Sequence, residues 1–592
     1  MSVEKLITDH IDIWTSALQT RSTAGRGSNG KIDLYGIKKL RELILELAVR
    51  GKLVPQDPND EPASELLKRI AAEKADLVKQ GKIKKQKPLP EISEEEKPFE
   101  LPSGWEWVRL GEVAEIIRGV TYGKAQSSEV EKEGMIPLLR ANNIQSKILI
   151  EPLVYVDEKL VSSEQYLRTG DVLIAMSSGS ESLVGKAAQF YEKGDYTFGA
   201  FCGVIRTYFK EINDFIGFFL KTPLYREQTK ASGKGIGIKN LNKSNLEMLL
   251  VALPSKKNST QLLEEITFLL TLCDQLEQQS LTNLDAHQQL VETLLATLTD
   301  SRNAEELAEN WARISQHFDT LFTTEASIDA LKQTILQLAV MGKLVTQDPN
   351  DEPASELLKR IEQEKAQLVK EGKIKKQKPL PPVSDEEKSF ELPRGWEWCK
   401  FGLLSEFING DRGRNYPSKS EYVDTGIPWI NTGHIEKDGT LSVSDMNYIT
   451  QKKFDELRGG KIQCGDLVYC LRGATFGKTS FVTPYKTGAI ASSLMIIRPF
   501  IAQFGLFFYN YLTSPFGKSQ VFRFDNGSAQ PNLSANSVML YAFPCPPLDE
   551  QFRIYNKVQE LFGICESLKT NVQSAQQTQL HLADALTDAA LN

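Results

Sequence analysis

The sequence predicts a mixed α/β (α+β) protein in which two strand-rich domains, in tandem duplication and pseudo-twofold symmetric, are separated by two long antiparallel coiled-coil helices. Three observations predict this fold: an internal repeat, two matched helical stripes of apolar residues, and short β-branched and aromatic runs punctuated by Gly, Asn and Ser. Because one hydrophobic core rarely exceeds about 250–300 residues, a chain of 592 residues is expected to form several domains.

The internal repeat defines the order of the chain. A shift of 291 positions places residues 51–107 on 342–398, and 47 of these 57 positions are identical without a gap. Identity then collapses, although TGDVLIA at 169–175 still matches CGDLVYC at 464–470. The chain is therefore a tandem duplication whose copies have diverged.

Five segments follow from the repeat. They are an N-terminal helical region with its linker at 1–103, a first strand-rich domain at 104–255, a central region of a long helix, the repeated helices and a linker at 256–395, a second strand-rich domain at 396–547, and a C-terminal long helix at 548–592.

Each conserved segment begins with short helices. In the first copy, apolar residues on one face of the segment 37–53 predict a helix that ends at Gly51. A second helix is predicted over 62–81. The Lys- and Pro-rich stretch that follows has little capacity to form a core, so we interpret it as an exposed arm or linker.

Near the end of each copy, apolar residues at alternating four- and three-residue steps predict a helix of about 33 residues, about 50 Å long. We expect the two stripes to pack on each other. The alternative is that each stripe is buried in its own domain core. The predicted seam residues are Leu262, Ile266, Leu269, Cys273, Leu276, Leu290, Leu294, Ile554, Val558, Leu561, Cys565, Leu568, Leu582 and Leu586.

The charge distribution restricts how the chain could bind nucleic acid. The net charge of −7 argues against nonspecific binding by bulk charge. The acidity lies mainly in 256–395, with about −8, whereas 104–255 is neutral and 396–547 carries about +3. Local basic loops could therefore bind DNA.

Cysteine and histidine usage indicates a reduced compartment. The seven cysteines are scattered without a close pair, and the five histidines are too dispersed for a zinc site, so no metal is expected. The start lacks a signal-peptide pattern and no apolar run approaches about 18 residues, which predicts a cytoplasmic protein with no membrane span.

One stretch is reminiscent of a nucleotide-binding loop. Gly477, Lys478 and Thr479 follow Gly473 with three intervening residues instead of the four of a phosphate loop, and a short apolar run follows. We interpret it as a strand–turn–strand. The sequence also lacks the Asn- or Asp-Pro-Pro-aromatic tetrapeptide of adenine methyltransferases, so no catalytic residue is predicted. The alternatives are a P-loop-type DNA-dependent ATPase or nuclease, and a duplicated coiled-coil adaptor between proteins.

The two variable domains open with LPSGWEWVRLGEV and LPRGWEWCKFGLLSEFING. Together with the ungapped repeat and the paired helices, these segments resemble the specificity subunit of type I restriction–modification enzymes. The resemblance implies a non-catalytic subunit whose two target recognition domains each read one half of a split, asymmetric sequence in double-stranded DNA, while the helices set the gap.

The resemblance also implies partners and cofactors. Two modification subunits would dock on the helices and methylate adenine on its exocyclic amine, and restriction subunits would join through them. S-adenosylmethionine, ATP and Mg²⁺ would belong to those partners and none to this chain. The host would be bacterial or archaeal.

Candidate DNA-reading residues rest on side-chain chemistry: Arg for guanine, Asn or Gln for adenine, and hydroxyl groups and closely approachable Gly backbone for phosphate. In the first domain they are Arg118, Thr121, Tyr122, Lys124, Arg140, Asn142, Asn143, Lys234, Lys239, Asn240 and Lys243. In the second they are Asn409, Arg412, Arg414, Tyr416, Lys419, Asn431, Thr432, His434, Arg472, Lys478, Ser528, Gln530 and Asn532. The Trp pairs of the two GWEW segments are expected to pack in the core or at a hinge.

Overall fold

The computed structural model describes residues 3–21, 31–177, 183–231, 241–374, 376–473, 475–524 and 533–591. These residues form two compact units. The first comprises the described residues up to Thr282 together with 576–591, and the second comprises Asn283–Ala575.

The first unit combines helices with short strands. Its helices are α1 Val3–Thr8, α2 Ile11–Ser16, α3 Tyr35–Val49, α4 Ala63–Lys79, α5 Leu110–Val113, α6 Asn213–Phe219, α7 Pro223–Ala231, α8 Lys243–Glu247 and the start of α9 Lys256–Asp300. Its strands are β1 Gln19–Arg21, β2 Lys31–Asp33, β3 Glu106–Arg109, β4 Ala114–Arg118, β5 Ser127–Ser128, β6 Met135–Leu139, β7 Val154–Asp157, β8 Val172–Ala175, β9 Ala187–Gln189, β10 Thr197–Phe198, β11 Cys202–Thr207 and β12 Leu250–Leu253.

Two four-stranded sheets organise the first strand-rich domain. One is antiparallel with the order β4-β11-β8-β9, and the other has the order β10-β6-β7-β5 with β10 parallel to β6. All four residues of β8 are buried, because its continuous apolar run lies in the middle of a covered sheet. Strands β12 and β3 pair separately and bring the two ends of the domain together.

The second unit repeats this plan. Its helices are α10 Ala304–Gln316, α11 Phe318–Leu321, α12 Glu325–Val340, α13 Ala354–Lys370, α14 Gln451–Glu456, α15 Phe504–Thr513, α16 Pro515–Phe522, α17 Ala535–Met539 and most of α18 Leu548–Leu591. Its strands are β13 Glu397–Lys400, β14 Ser405–Asn409, β15 Ile427–Ile430, β16 Asn447–Ile449, β17 Leu467–Cys470, β18 Thr479–Phe481, β19 Ala489–Ile490, β20 Leu494–Pro499 and β21 Ala542–Cys545.

Its sheets correspond to those of the first domain. The order β14-β20-β17-β18 matches β4-β11-β8-β9, the order β16-β15-β19 matches β7-β6-β10, and β13 pairs with β21. The predicted fold class, with two strand-rich domains in tandem duplication and two long helices, is confirmed.

The GWEW segments belong to the scaffold. Trp105 is 5% exposed and its indole N–H donates to Oε1 of Gln56 at 2.9 Å. Trp396, the matching residue, is equally buried and donates to Oε2 of Glu550 at 3.0 Å. The predicted core role is confirmed for Trp105 and Trp396, which explains why the segment changed so little between the copies; Trp107 and Trp398 are half-buried.

The Lys- and Pro-rich connector of the first copy is largely exposed, as predicted for an arm or linker, and one buried cation holds it against the strand-rich domain. Arg109, at the end of β3, is buried; it donates from Nε to the carbonyl of Pro90 at 2.9 Å and from Nη2 to Glu96 at 2.8 Å. In the second copy, Lys400 pairs with Glu387 at 2.5 Å. One buried cation per copy therefore holds a segment that has few apolar residues of its own.

The long helices exceed the predicted length of about 33 residues, since α9 has 45 residues and α18 has 44. The predicted stripe runs from Leu262 to Leu294 and from Ile554 to Leu586, whereas each helix continues by five or six residues at either end. The loop before α4 supplies a cap for α9: Oδ2 of Asp60 accepts hydrogen bonds from the backbone N–H of Lys257 and of Asn258, each at 2.9 Å. Of the helices in the described ranges, none is long and apolar enough to cross a bilayer.

Within the second unit, contacts around α12 show in which directions α9 and α18 run. His287 and Lys343 contact the carbonyls of Thr320 and Thr299 respectively, so α12 runs in the same direction as the last turns of α9. Lys569 contacts Glu325 near the start of α12, whereas Glu566, earlier in α18, contacts Lys332 further along it. The α9 and α18 segments of this unit are therefore antiparallel, as predicted.

Burial follows the predicted seam residues at the start of each helix and moves by one residue towards its end. Leu262, Ile266, Leu269, Cys273 and Leu276 are buried, as are Ile554, Val558 and Cys565. The predicted Leu290 and Leu582 are instead 51% and 41% exposed, and their C-terminal neighbours Val291 and Ala583 are buried. Leu294, Leu561, Leu568 and Leu586 are half-buried. In the second unit, Val291, Leu295 and Leu298 pack in one core with α12 and with Ile554, Val558 and Cys565 of α18.

Candidate nucleic-acid interface

In the first domain, the predicted loops meet at one edge of the sheets. The backbone N–H of Val120 donates to the carbonyl of Phe198 at 2.7 Å, that of Gly199 to Leu139 at 3.0 Å, and that of Met176 to Phe201 at 2.9 Å. The carboxyl ends of β4, β6 and β8 and the turn before β11 therefore lie together. We call this set, residues 118–124, 139–143, 176–177 and 199–202, the first rim.

The first rim brings most of the candidate residues of its domain together. Arg118, Thr121, Lys124 and Asn142 are exposed, and Tyr122 and Arg140 are half-buried. The approach of the loops is close: a Cβ at Gly119 would lie 2.2 Å from the carbonyl oxygen of Gly199. Only glycine fits at that position of the first rim.

The second domain builds an equivalent edge. The backbone N–H of Ala491 donates to the carbonyl of Ile430 at 2.7 Å, and that of Leu471 donates to Ser493 at 2.9 Å. Asn409 ends β14 beside β20. We call residues 409–416, 430–434, 471–473, 475–478 and 491–493 the second rim.

The second rim also holds most of its domain's candidates. Asn409, Arg412, Arg414 and Lys478 are exposed, and Thr432 and Arg472 are half-buried. The ring of Tyr416 lies edge-on to Trp429 with the centroids 5.3 Å apart. Lys419 is exposed in the following turn.

The arginines of the rims differ from those elsewhere in the same domains. Arg206 pairs with Asp171 at 2.6 Å and Arg498 with Asp466 at 2.8 Å, at equivalent places away from the rims. Among the residues that the structure describes, no carboxylate pairs with the rim arginines, which are Arg118, Arg140, Arg412, Arg414 and Arg472. The buried Nε atoms of Arg140 and Arg472 have no hydrogen-bond partner in this described part.

Two candidates are wrong because their side chains point inward. Asn143 is fully buried, and its Nδ2 donates to the carbonyls of Leu149 at 2.9 Å and Pro152 at 3.1 Å. His434, at the matching position, is buried and its Nδ1 accepts from the backbone N–H of Asn431 at 3.1 Å. Burial lowers the pKa of His434 below its ordinary value, so it offers no cation to a phosphate.

Asn431 and Lys243 are already engaged within the protein. Oδ1 of Asn431 accepts from the backbone N–H of Gly433 at 2.9 Å, although the side chain remains partly exposed. Lys243 lies on α8, 3.8 Å from the carboxylate of Glu247. The remaining candidates, Lys234, Lys239, Asn240, Ser528, Gln530 and Asn532, lie outside the described residues.

The sequence analysis missed Phe201. It stands on the turn before β11 in the first rim and is 69% exposed. A comparison of the two copies could have identified it, because Ser493, a small polar residue, stands at the matching position of the second domain.

The nucleotide-loop alternative is not favoured. Thr479, which would open a helix in a phosphate loop, begins strand β18, and β18 pairs antiparallel with β17. The backbone N–H of Gly477 donates to the carbonyl of Cys470 and closes a hairpin at 2.8 Å. This hairpin is the predicted strand–turn–strand.

Comparison with known proteins gives a consistent result. Residues 102–286 and 393–575 each match the family model described as the type I restriction modification DNA specificity domain. The chain is 51% identical to the type I restriction enzyme EcoAI specificity subunit and 49% identical to the EcoEI specificity subunit, both of Escherichia coli, with all of each chain covered. It is 25% identical to the EcoKI specificity subunit of Escherichia coli strain K12 over 80% of this chain and 86% of that one.

Proposed function

The chain belongs to the family of type I restriction–modification specificity subunits, and from this premise we propose how its parts divide the work. Each rim reads one half of a split, asymmetric target in double-stranded DNA. Helices α9 and α18 set the gap between the halves. The chain makes or breaks no covalent bond in the DNA itself.

The unpaired arginines of the two rims carry this proposal. A guanidinium without a carboxylate partner keeps its five donors for a ligand, and Arg binds both guanine edges and phosphate in a bidentate manner. Equivalent sheet edges in both domains hold such residues, for example Arg140 in one and Arg472 in the other. Two equivalent cationic edges in one chain suit two half-sites.

The repeated scaffold supports two identical partners. Residues 51–107 and 342–398 are nearly the same, and two copies of one partner need two equivalent docking surfaces. We assign these partners as modification subunits that bind S-adenosylmethionine and methylate adenine on its exocyclic amine. Restriction subunits, with ATP and Mg²⁺, join through them in the cytoplasm of a bacterium or archaeon.

Base-resolution methylation mapping tests this proposal. DNA is compared from cells that express this chain with its modification partner and from cells that lack only this chain. We expect methyl-adenine at a split motif in the first cells alone. Exchange of residues 104–255 for those of a relative with another target should change one half of the motif and leave the other intact.

The matched exchange of residues 396–547 serves as the internal control, since it should alter the opposite half. Equal methylation with and without the chain, when the modification partner is shown to be bound and active, would contradict the specificity role. A change in both halves after one exchange would contradict the division of the target between the rims.

A further inference from the structure

The first rim presents one large aromatic side chain to solvent on a fixed backbone. Phe201 is 69% exposed. Its carbonyl accepts from the backbone N–H of Met176 at 2.9 Å and of Ser177 at 3.1 Å, and the N–H of Cys202 closes the turn onto Gly199 at 2.8 Å. Because these bonds hold the turn, the ring cannot reach the core by a local rearrangement of the loop, and its apolar area stays in water.

The second rim has the same backbone arrangement with a different side chain. The N–H of Leu494 closes a turn onto Ala491 at 3.0 Å, and the carbonyl of Ser493 accepts from Leu471. Ser493 stands where Phe201 stands in the first domain. The backbone of this turn is common to both domains, whereas the side chain at its tip is not, as expected of a position that distinguishes two targets.

The surroundings of Phe201 fit a nucleic-acid surface. Residue Gly203, two places along the chain, pairs with Arg118 across the β4–β11 ladder, so the ring and an unpaired guanidinium belong to adjacent strand ends. Tyr122 lies against Gly199, at the start of the same turn. The apolar group that duplex DNA offers in its major groove is the methyl group of thymine, and Phe is among the side chains that contact it.

We infer that Phe201 is a specificity-determining residue of the first domain, which makes apolar contact with a thymine methyl group in the half-site that this domain reads. The inference rests on the proposed function. It predicts that the first half-site contains a thymine whose methyl group contributes to affinity. The second domain has no equivalent contact, because Ser493 offers a hydroxyl group at that place.

The test uses the complex of the full chain with its modification partner, and duplexes that carry the target found by methylation mapping. Phe201→Ala should weaken binding to that target about tenfold. In the wild-type complex, replacement of one thymine of the first half-site by uracil should cause a similar loss, and in the Phe201→Ala complex the same replacement should change affinity less than twofold. Phe201→Ser should match Phe201→Ala.

Tyr191→Ala is the matched control. Tyr191 is 55% exposed in the same domain but follows β9 at the opposite end of the sheet, where its hydroxyl donates to Asp214. Its removal should leave binding within twofold of wild type. Since neither ring is buried, thermal melting should confirm that both variants fold.

The outcomes separate this inference from the proposed function. Wild-type affinity in Phe201→Ala, with the split motif intact, would overturn the role of Phe201 and leave the proposed function standing. A weakened Phe201→Ala complex that no uracil replacement reproduces would overturn the thymine contact. Absence of any target preference in the wild-type complex would overturn both.

Discussion

At the scale of single residues, one buried cation in each copy fastens the connector to its recognition domain. Burial alone would raise the pKa of Glu387, but Lys400, the backbone N–H of Ser384 and Arg523 bind its carboxylate and lower the pKa to about 2. The charged pair is thus stabilised by three donors, a condition under which a buried ion pair offsets its desolvation cost.

Glu387→Gln tests this contact. The amide would leave the Lys400 ammonium group buried without a counter-charge, so the free energy of unfolding at pH 7 should fall by about 3 kcal/mol. Urea denaturation measures it. Asp385→Asn, which removes an exposed ion pair with Lys388 in the same turn, should leave the free energy of unfolding unchanged within the error of the measurement. Equal effects of the two variants would contradict the role assigned to the buried pair.

The same contact has a defined pH dependence. The carboxylate of Glu387 has a pKa of about 2 in the folded chain, below its ordinary value of 4.5. Its stabilisation is therefore complete above about pH 4.5 and is lost as the pH falls from there towards 2. The difference in unfolding free energy between wild type and Glu387→Gln should shrink across that window. A difference that stays constant from pH 7 to 3 would exclude this linkage.

Arg140 and Arg472 allow a paired prediction. Arg140→Ala should make the methylated motif degenerate at one position of the first half, and Arg472→Ala should do so in the second half. Each substitution should cost about 1–3 kcal/mol of specific binding. Each variant controls for the other, and Lys486→Ala, exposed beyond β18 away from the second rim, should leave the motif unchanged. If both arginine substitutions reduced specificity in the same half of the motif, the assignment of one half to each rim would be contradicted.

Asn143 and His434 show where residue chemistry misleads. Each accepts from the backbone N–H three residues earlier, Arg140 and Asn431 respectively, and so closes the turn that presents its neighbours. Their residue types suited the reading of bases. Their matching positions in the two copies, however, indicated that both have the same structural role. A single sequence could not establish whether a polar side chain on a tight turn points into the protein or out to solvent, because its hydrogen bonds can be satisfied in either direction.

At the scale of elements, the sequence predicted the central strands and the long helices, since both depend on the periodicity of apolar residues. The runs DVLIAM and DLVYCL form β8 and β17, each buried on both faces. The pattern could not locate the shift of the seam. A straight helix has 3.6 residues per turn, so a strict heptad repeat falls behind it by about 20° per heptad. The buried stripe accordingly moves from Leu290 to Val291 and from Leu582 to Ala583.

Leu298→Ala and Leu290→Ala test the corrected seam. Leu298 is fully buried in the core that α9 forms with α12 and α18, so its truncation should lower the free energy of unfolding by about 2–5 kcal/mol. Leu290 is 51% exposed, and its truncation should cost less than about 0.5 kcal/mol. Urea denaturation measures both. A larger effect at Leu290 than at Leu298 would contradict the shift and support the strict heptad assignment.

At the scale of the whole molecule, the duplication separates what must stay constant from what must vary. The buried Trp residues, the connector contacts and the cap of α9 lie in or beside the conserved segments, while the rims lie where the copies differ. Specificity can therefore change by substitution at solvent-exposed strand ends without loss of the core. This arrangement also explains how a chain of net charge −7 presents cationic surfaces, because its acidity lies outside the rims.

The long helices yield the prediction that belongs to this scale. Each crosses from one compact unit to the other, α9 after Thr282 and α18 after Ala575, so an insertion at those points leaves both units complete. Seven residues added at each point preserve the heptad phase and lengthen each helix by about 10 Å. At about 3.4 Å per base pair, the gap in the target should widen by about three base pairs with both half-sequences unchanged.

Methylation mapping of the doubly extended chain measures that gap. Extension of α9 alone is the control: it puts the antiparallel stripes of α9 and α18 out of alignment, and methylation of the split motif should disappear. If the doubly extended chain instead methylates the original motif with its original gap, the helices do not determine the spacing. The rims alone would then have to fix it, and no property of an isolated sheet edge can define a distance between two of them.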